Sequence, residues 1–280
     1  MIPVESIFKL EDVLGTRVPW RLLRILLKRP YLSFSPTVLA ATLQTSRASV
    51  LRVLGILGEY ALIRKFNGGR YQANTEHEMI RRLWGLFMLE RHANLQPSFR
   101  NAIDMFFKAV EEKVVVFIVF GSVSRGLATE KSDIDICVVG ENIDANRFDF
   151  LPYRFELHNY KEQHLRDLTD FVVLDSLLNG MVLKGDMFVF NILKDLRTFP
   201  KEYLLYRVNK AKQFLIRADD LQGEARDYYY SLARTAIGEV KAVLHKGTTV
   251  SKREINYQFS EDITALESEL AREGDQIWLI

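Results

Sequence analysis

Two aspartates separated by one residue, Asp133 and Asp135, are the side chains of this sequence best suited to chemistry. They belong to a run, 132–136, that alternates polar and apolar residues and therefore predicts a strand. Because side chains on a strand alternate between its faces, both carboxylates should point one way while Ile134 and Ile136 face the core. Neighbouring carboxylates repel each other unless a cation neutralises them, and such oxygen ligands suit Mg²⁺. Two such ions, roughly 3.5–4 Å apart, recur in sites of phosphoryl or nucleotidyl transfer.

A turn upstream of the aspartates supplies the other half of the candidate site. The apolar run 114–120 predicts a buried strand, and Gly121-Ser122 ends it. Glycine lets the backbone approach a phosphate closely, and a helix starting near Ser122 would direct free N–H groups at it. The turn and the aspartates together predict a site for a metal ion and a phosphate group.

This stretch resembles the nucleotidyltransferases of the DNA polymerase beta superfamily, especially the minimal nucleotidyltransferases of archaea and bacteria. Their signature is Gly-Ser, ten residues and then Asp-x-Asp, and Gly121, Ser122, Asp133 and Asp135 match it in register. The resemblance implies transfer of a nucleoside monophosphate from a nucleoside triphosphate (NTP) to a hydroxyl. It also implies that Asp133 and Asp135 hold two Mg²⁺ ions, while Gly121 and Ser122 bind the nucleotide.

The same resemblance assigns further site residues. Arg125 and Ser132 stand where such proteins carry the same residues, so both are expected to contact the nucleotide. In this family the strand after Asp-x-Asp supplies a third carboxylate, which completes the metal site and helps to activate the incoming hydroxyl. Glu156, on a strand predicted at 153–158, matches this role by position, and Asp149 is the alternative.

The N-terminal part of the chain predicts a small separate module at 17–75. Three amphipathic helices are expected: one that begins near Val18 and that Pro30 ends, and two at about 37–43 and 47–57. Asn67-Gly68-Gly69 predicts a hairpin after them. Ser35-Pro36 is a typical start for the second helix. The order of helices and hairpin resembles the winged helix-turn-helix family of DNA-binding domains, by pattern rather than by invariant residues.

The charge of this module suits a nucleic-acid partner. Residues 1–70 contain 11 basic and 4 acidic side chains, a net charge of +7, which leaves −5 for the rest of a chain whose total is +2. Such an excess of basic residues suits contacts with phosphates of duplex DNA. The expected DNA contacts are Ser46, Arg47, Ser49 and Arg52 near the third helix, and Arg64, Lys65 and Arg70 along the hairpin. The alternative is a winged helix used for dimerisation or docking.

The length of 280 residues, with 48% apolar and 26% charged residues, is enough for two or three globular domains. We expect an α+β protein of several domains, with a short mixed sheet in the transferase domain. The expected divisions are a winged helix at 1–78, a connecting helix at 79–96, a nucleotidyltransferase domain at 97–184 and a helical bundle at 185–280. Residues 161–184 are also expected to be helical.

Cysteine content and hydropathy predict where such a protein works. The single cysteine, Cys137, excludes an internal disulfide and fits a reducing compartment. The N-terminus lacks the pattern of a signal peptide, and no apolar run reaches the length of a membrane span. We therefore expect a cytoplasmic protein without a membrane partner.

Two functions stay open at the level of the sequence. The first is a Mg²⁺-dependent nucleotidyltransferase coupled to a DNA-binding winged helix. The second is a non-catalytic regulator, in which the same pocket senses a nucleotide and changes how the winged helix binds DNA. The three carboxylates Asp133, Asp135 and Glu156 favour the enzyme. The base of the NTP is left open, and so is the acceptor, which is a protein side chain, a small molecule or a nucleic-acid end.

Overall fold

The computed structural model describes residues 17–144, 148, 150–250 and 262–279. Within these ranges the chain divides into two units. The first unit comprises the described residues up to Lys161 together with Ser176–Leu196, and the second comprises Glu162–Asp175 together with the described residues from Arg197 onward. Among the helices of these ranges, none has the length and apolar character needed to cross a membrane.

The helices and strands are numbered here in chain order. The helices are α1 (Arg17–Lys28), α2 (Pro36–Leu43), α3 (Arg47–Glu59), α4 (Glu78–Ala93), α5 (Pro97–Val110), α6 (Gly121–Ser124), α7 (Glu162–Asp167), α8 (Phe171–Asn179), α9 (Asp186–Asp195), α10 (Lys201–Asp219), α11 (Gly223–Lys246) and α12 (Asp262–Arg272). The strands are β1 (Ile63–Phe66), β2 (Arg70–Ala73), β3 (Val114–Phe120), β4 (Ile134–Gly140), β5 (Phe155–Tyr160), β6 (Met181–Lys184), β7 (Thr198–Pro200) and β8 (Gln276–Trp278).

The first unit begins with α1, α2 and α3 and the antiparallel hairpin β1–β2, which together are called the N-terminal module below. The hairpin turn lies at Asn67–Gly69, where it was predicted. The hydroxyl of Ser35 accepts a hydrogen bond from the amide of Val38 at 3.3 Å and starts α2. The hydroxyl of Ser46 accepts one from the amide of Ser49 at 3.1 Å and starts α3. Both helices therefore begin at capped positions, because each hydroxyl satisfies an amide that has no partner within its helix.

The third helix of the module buries a single apolar stripe. Val50, Val53, Leu54 and Leu57 are buried at i, i+3, i+4 and i+7, the spacing of one helix face. Leu51 lies beside this stripe rather than on it and is 37% exposed.

The hairpin is tied to the segment that joins the first two helices. Phe34 and Tyr71 exchange two backbone hydrogen bonds of 2.8 Å each. Phe34 follows α1 and precedes α2, while Tyr71 lies on β2. The hairpin therefore has a third, short partner, and the module is joined through the backbone as well as through its apolar core.

Helix α4 follows the module and contacts α1, α9 and β6. The ring centroids of Trp84 on α4 and Phe190 on α9 lie 5.4 Å apart. Glu90 on α4 is only 5% exposed, although it is charged. Its two carboxylate oxygens lie 2.8 and 2.7 Å from Nη2 of Arg24 on α1. The glutamate is buried because the arginine pairs with it, which a single-helix pattern does not show.

The central element of the first unit is a four-stranded sheet in the order β5-β4-β3-β6. Strand β3 pairs antiparallel with both β4 and β6, whereas β4 and β5 are parallel. This confirms the predicted short mixed sheet. Residues 181–184 were expected to be helical, but they form the edge strand β6. Met181 and Val182 pair with Val119 and Ile118 of β3 and are buried there, so a partner distant in sequence decides their conformation.

Helix α5 covers one face of this sheet. The ring of Phe106 lies 6.1 Å from that of Phe117 and 4.5 Å from that of Phe155, measured between centroids. Ile134 and Ile136 belong to the same core cluster and are fully buried, as the alternation predicted. Asp135, which lies between them, therefore belongs to the opposite face of the sheet.

The second unit is mainly helical within its described residues. Its longest helices, α10 and α11, pack through small and branched side chains, including buried Leu204 and Val208 on one and Ala236 and Val240 on the other. The expectation of helices alone after residue 184 is wrong, because β7 and β8 pair antiparallel. The pairing joins segments about 80 residues apart, so local periodicity does not reveal it.

Candidate active site

Gly121 lies at the end of β3, where its backbone comes close to the carboxylate of Asp135. Its φ is +68°, in the left-handed region that L side chains rarely adopt. A Cβ atom at this position would lie 1.9 Å from Oδ2 of Asp135. Only glycine therefore allows this approach, and the structure brings together the Gly-Ser turn and one aspartate of the Asp-x-Asp motif.

Asp135 and Glu156 lie side by side on the parallel strands β4 and β5, because each is the register partner of the other. Register partners on adjacent strands point to the same face, and such strands are about 4.8 Å apart. Asp135 is half-buried, whereas the side chain of Glu156 is 56% exposed. Nε2 of His158 lies 3.7 Å from Oε1 of Glu156, and its ring lies 5.5 Å from that of Phe120. The two carboxylates thus lie on one sheet face beside a histidine.

Asp133 lies just before β4 rather than within it, and its side chain is exposed. The preceding residue, Ser132, is buried, and its hydroxyl accepts a hydrogen bond from the amide of Thr129 at 2.9 Å. Ser132 therefore closes the loop that leads into β4, and its contact with a nucleotide stays a prediction. Asp149, the alternative third carboxylate, lies outside the described residues.

In the part of the chain that the structure describes, no group of three or more His, Cys, Asp or Glu side chains is arranged to hold a metal ion. Asp133, Asp135 and Glu156 are therefore not gathered into one cluster. The donor set nevertheless fits Mg²⁺, since all three groups are carboxylates and an Asp135 oxygen occupies the space that a Cβ of residue 121 would fill. Asp133 and Glu156 are exposed, so a change of rotamer is open to both.

The short helix α6 begins at Gly121 and is held at its other end by Ser124. The hydroxyl of Ser124 lies 3.2 Å from the carbonyl oxygen of Gly121 and 3.2 Å from that of Asn179. The amide of Leu127 donates to the carbonyl of Ser122 at 2.9 Å. The predicted helix start near Ser122 is confirmed.

Two arginines lie near this turn. Arg125, which was predicted to contact the nucleotide, is half-buried directly after α6. Arg91 of α4 was not singled out in the sequence, but its guanidinium donates to the carbonyl of Ser124 at 3.0 Å. Burial, and next to it the charge of Arg125, lower the pKa of Arg91 to about 10. Arg91 is therefore protonated at neutral pH, and two positive charges lie beside the turn.

The basic residues predicted to contact DNA are mostly accessible. Arg47 and Arg52 on α3 and Arg64 and Lys65 on β1 are exposed. The Nζ atom of Lys65 also lies 6.0 Å from the centroid of the Tyr71 ring. The exposed arginines of α3 and of the hairpin can therefore meet a partner without rearrangement of the module's core.

Three other residues in that set already have internal partners. The hydroxyls of Ser46 and Ser49 lie 2.9 Å apart at the start of α3. Arg70 donates from Nε to the hydroxyl of Ser33 at 2.9 Å, and it also donates to the Ser33 carbonyl. These contacts stabilise the module, and the contacts of these residues with DNA stay predictions.

Comparison with protein families gives a match over one part of the chain. Residues 103–198 match the family model described as nucleotidyltransferase domain. This range includes the four strands of the central sheet, Gly121, Asp133, Asp135 and Glu156. No curated protein matches the chain significantly. Residues 103–198 are therefore a nucleotidyltransferase domain, and the protein that carries them is a nucleotidyltransferase enzyme.

Proposed function

We propose that this protein transfers a nucleoside monophosphate from Mg²⁺-bound NTP to a hydroxyl and releases pyrophosphate. The approach of Gly121 to Oδ2 of Asp135 is the observation that carries the proposal. It places a backbone segment that suits a phosphate directly beside a carboxylate that suits a cation. The family match over 103–198 supports the same reaction class.

Three carboxylates have separate roles in this proposal. Asp133 and Asp135 would hold the metal, and Glu156 would share it. Bound Mg²⁺ neutralises phosphate charge and makes the attacking hydroxyl more acidic. Glu156 accepts the proton of that hydroxyl, and its exposure leaves it accessible to an acceptor. The acceptor oxygen forms a bond to the α-phosphorus as the bond from that phosphorus to the bridging oxygen breaks, and pyrophosphate leaves.

Positioning of the triphosphate is assigned to the Gly-Ser turn. Gly121 and Ser122 contact the phosphates through the backbone, and Arg125 contributes positive charge. Placement of the reactants and electrostatic stabilisation supply most of the catalysis in reactions of this kind. Ser132 contributes by closing the loop before β4, in addition to any nucleotide contact of its own.

We also propose that the N-terminal module is a winged helix that binds duplex DNA. Its three helices, the hairpin and the Phe34–Tyr71 pairing support this assignment. Between residues 17 and 70, ten side chains are basic and one, Glu59, is acidic. In this arrangement α3 enters the major groove with Arg47 and Arg52, while the hairpin contacts the backbone.

Turnover tests the catalytic proposal directly. Wild-type protein, Mg²⁺ and each of the four NTPs are incubated with protein, small hydroxyl and nucleic-acid acceptors, and pyrophosphate and labelled product are measured. We expect release in the wild type, loss in Asp135→Asn, and loss of turnover with retained nucleotide binding in Glu156→Gln. Glu130→Gln, which changes an exposed carboxylate of the same loop, is the matched control. Binding of Mg²⁺-NTP without turnover on any acceptor would contradict the proposal and favour a nucleotide-sensing regulator.

A further inference from the structure

Arg91 holds together two segments of the transferase domain that are far apart in sequence. Its guanidinium donates to the carbonyls of Ser124 at 3.0 Å, Asn179 at 2.8 Å and Gly180 at 2.6 Å. Ser124 ends α6, whereas Asn179 and Gly180 join α8 to β6. Within the described residues, this guanidinium contacts no carboxylate. Apart from a 3.6 Å contact between Nη1 and the sulfur of Met88, its hydrogen bonds go to backbone oxygens, and these cannot follow the guanidinium as a side chain would.

Ser124 reinforces the same connection. The carbonyl of Asn179 accepts hydrogen bonds from both the guanidinium of Arg91 and the hydroxyl of Ser124, the latter at 3.2 Å. Ser124 also donates to the carbonyl of Gly121 at 3.2 Å. Arg91 therefore fixes the end of α6 at Ser124. The other end is Gly121, which lies against Asp135.

The charge on Arg91 has a second consequence for the turn. Burial is the main cost of the charge on Arg91, and repulsion by the nearby Arg125 adds to it. A bound polyanion would offset this cost, since it supplies the negative charge that the surrounding carbonyls do not. The placement of two cations beside the Gly-Ser turn thus favours a phosphate chain over a neutral ligand.

We infer that Arg91 is a positioning residue that fixes the Gly121–Ser124 turn for binding of the triphosphate. It acts through the carbonyl of Ser124 and touches none of the reacting atoms. The identity of the ligand rests on the proposed function, whereas the fixing of the turn does not. Only the planar guanidinium of an arginine suits three carbonyls at once, because the ammonium of a lysine is a point donor on a flexible side chain.

Hydrogen exchange of the protein without nucleotide tests the positioning alone. The amides of Gly126 and Leu127 donate to the carbonyls of Val123 and Ser122 at 3.1 and 2.9 Å and report on the turn. We expect exchange at these two amides to be about tenfold faster in Arg91→Met and similarly faster in Arg91→Lys. Unchanged exchange in both variants would overturn the positioning role.

The matched control for this test lies on the same helix. Arg82 is exposed and pairs with Glu78 at 2.9 Å, so Arg82→Met removes an arginine of α4 without touching the turn. We expect wild-type exchange in this variant. If Arg91→Met does not fold, Arg91→Lys and Ser124→Ala decide the question, because each removes part of the same hydrogen-bond set. Faster exchange in Arg82→Met to the same degree would overturn the specific role of Arg91.

Binding of Mg²⁺-tripolyphosphate tests the link to the ligand. This probe carries the phosphate chain without a base, so affinity reports on the turn and the metal site. We expect at least a tenfold loss in Arg91→Met, a loss in Arg91→Lys that is nearly as large, and no change in Arg82→Met. Full affinity in Arg91→Lys would overturn the geometric role, because the positive charge by itself would then account for binding. No binding by the wild type would overturn the proposed function and the assigned ligand, while the exchange result would still decide whether Arg91 fixes the turn.

Discussion

At the scale of single residues, two glycines of one loop allow the effect of backbone strain to be distinguished from the effect of a close contact with Asp135. Gly121 and Gly126 have φ values of +68° and +72°, so alanine at either position costs roughly 1–2 kcal/mol of stability. Only at Gly121 does the added Cβ collide with Asp135, because nothing lies within 4 Å of the corresponding position at Gly126. We predict that Gly121→Ala lowers the affinity for Mg²⁺ and a non-hydrolysable NTP at least tenfold, measured by calorimetry, because Asp135 must move.

The control for this prediction is Gly126→Ala. It should lower the melting temperature by a similar amount and keep affinity near that of the wild type. Equal loss of affinity in the two variants would mean that loop strain, rather than the approach to Asp135, controls binding.

The sequence revealed part of the candidate site, and the reason is local. The spacing from Gly121 to Asp135 predicted a strand, a turn and a returning strand, and these elements bring the two residues together. It did not reveal that Asp133 precedes the strand or that Ser132 turns to the amide of Thr129. Arg91 was missed because its partners are backbone carbonyls 33 to 89 residues away, and a carbonyl carries no sequence signal.

At the scale of elements, the proposed role of α3 makes a prediction about salt. Replacement of Arg47 and Arg52 by Ala should weaken binding of duplex DNA and leave the fold intact, because both side chains are exposed. Each lost phosphate contact should reduce the slope of log affinity against log salt by about 0.9. The measurement is a fluorescence anisotropy titration at several salt concentrations.

The double variant Arg81→Ala and Arg82→Ala is the control, since both arginines pair with Glu78 on α4 outside the module. It should keep the wild-type slope. A slope that is unchanged in the variant of Arg47 and Arg52 would remove these two residues from the interface and favour a module used for docking.

Elements with their own start and stop signals were predictable from sequence, whereas elements defined by distant partners were not. Ser35, Ser46 and the Asn67–Gly69 turn mark the module's boundaries through local hydrogen bonding and backbone conformation. Residues Met181–Lys184 read as the end of a helix but form β6, because pairing with β3 is worth more than local propensity. The buried Glu90 likewise depends on Arg24, a residue of another helix.

At the scale of the whole molecule, segments that follow one another in the chain do not all belong to the same unit. The chain leaves the first unit after Lys161, returns for Ser176–Leu196 and leaves again at Arg197. The domains predicted at 1–78, 79–96, 97–184 and 185–280 are each continuous, and their boundaries stay predictions. Prediction from sequence assigns neighbouring segments to one domain. No local sequence pattern marks the places where the chain passes from one unit to the other.

In the proposed reaction, Asp133 and Asp135 bind the metal that binds the NTP. The measurement is thermal unfolding of the wild type, Asp133→Asn and Asp135→Asn with Mg²⁺ alone, NTP alone and both together. A ligand that binds only the native state adds about 2.7 kcal/mol at a hundredfold its dissociation constant. We predict that the wild type melts several degrees higher with both ligands than with either, while both variants lose this synergy and keep near-normal melting without ligand. Both variants retaining the full shift would contradict the account, because the metal would then bind elsewhere.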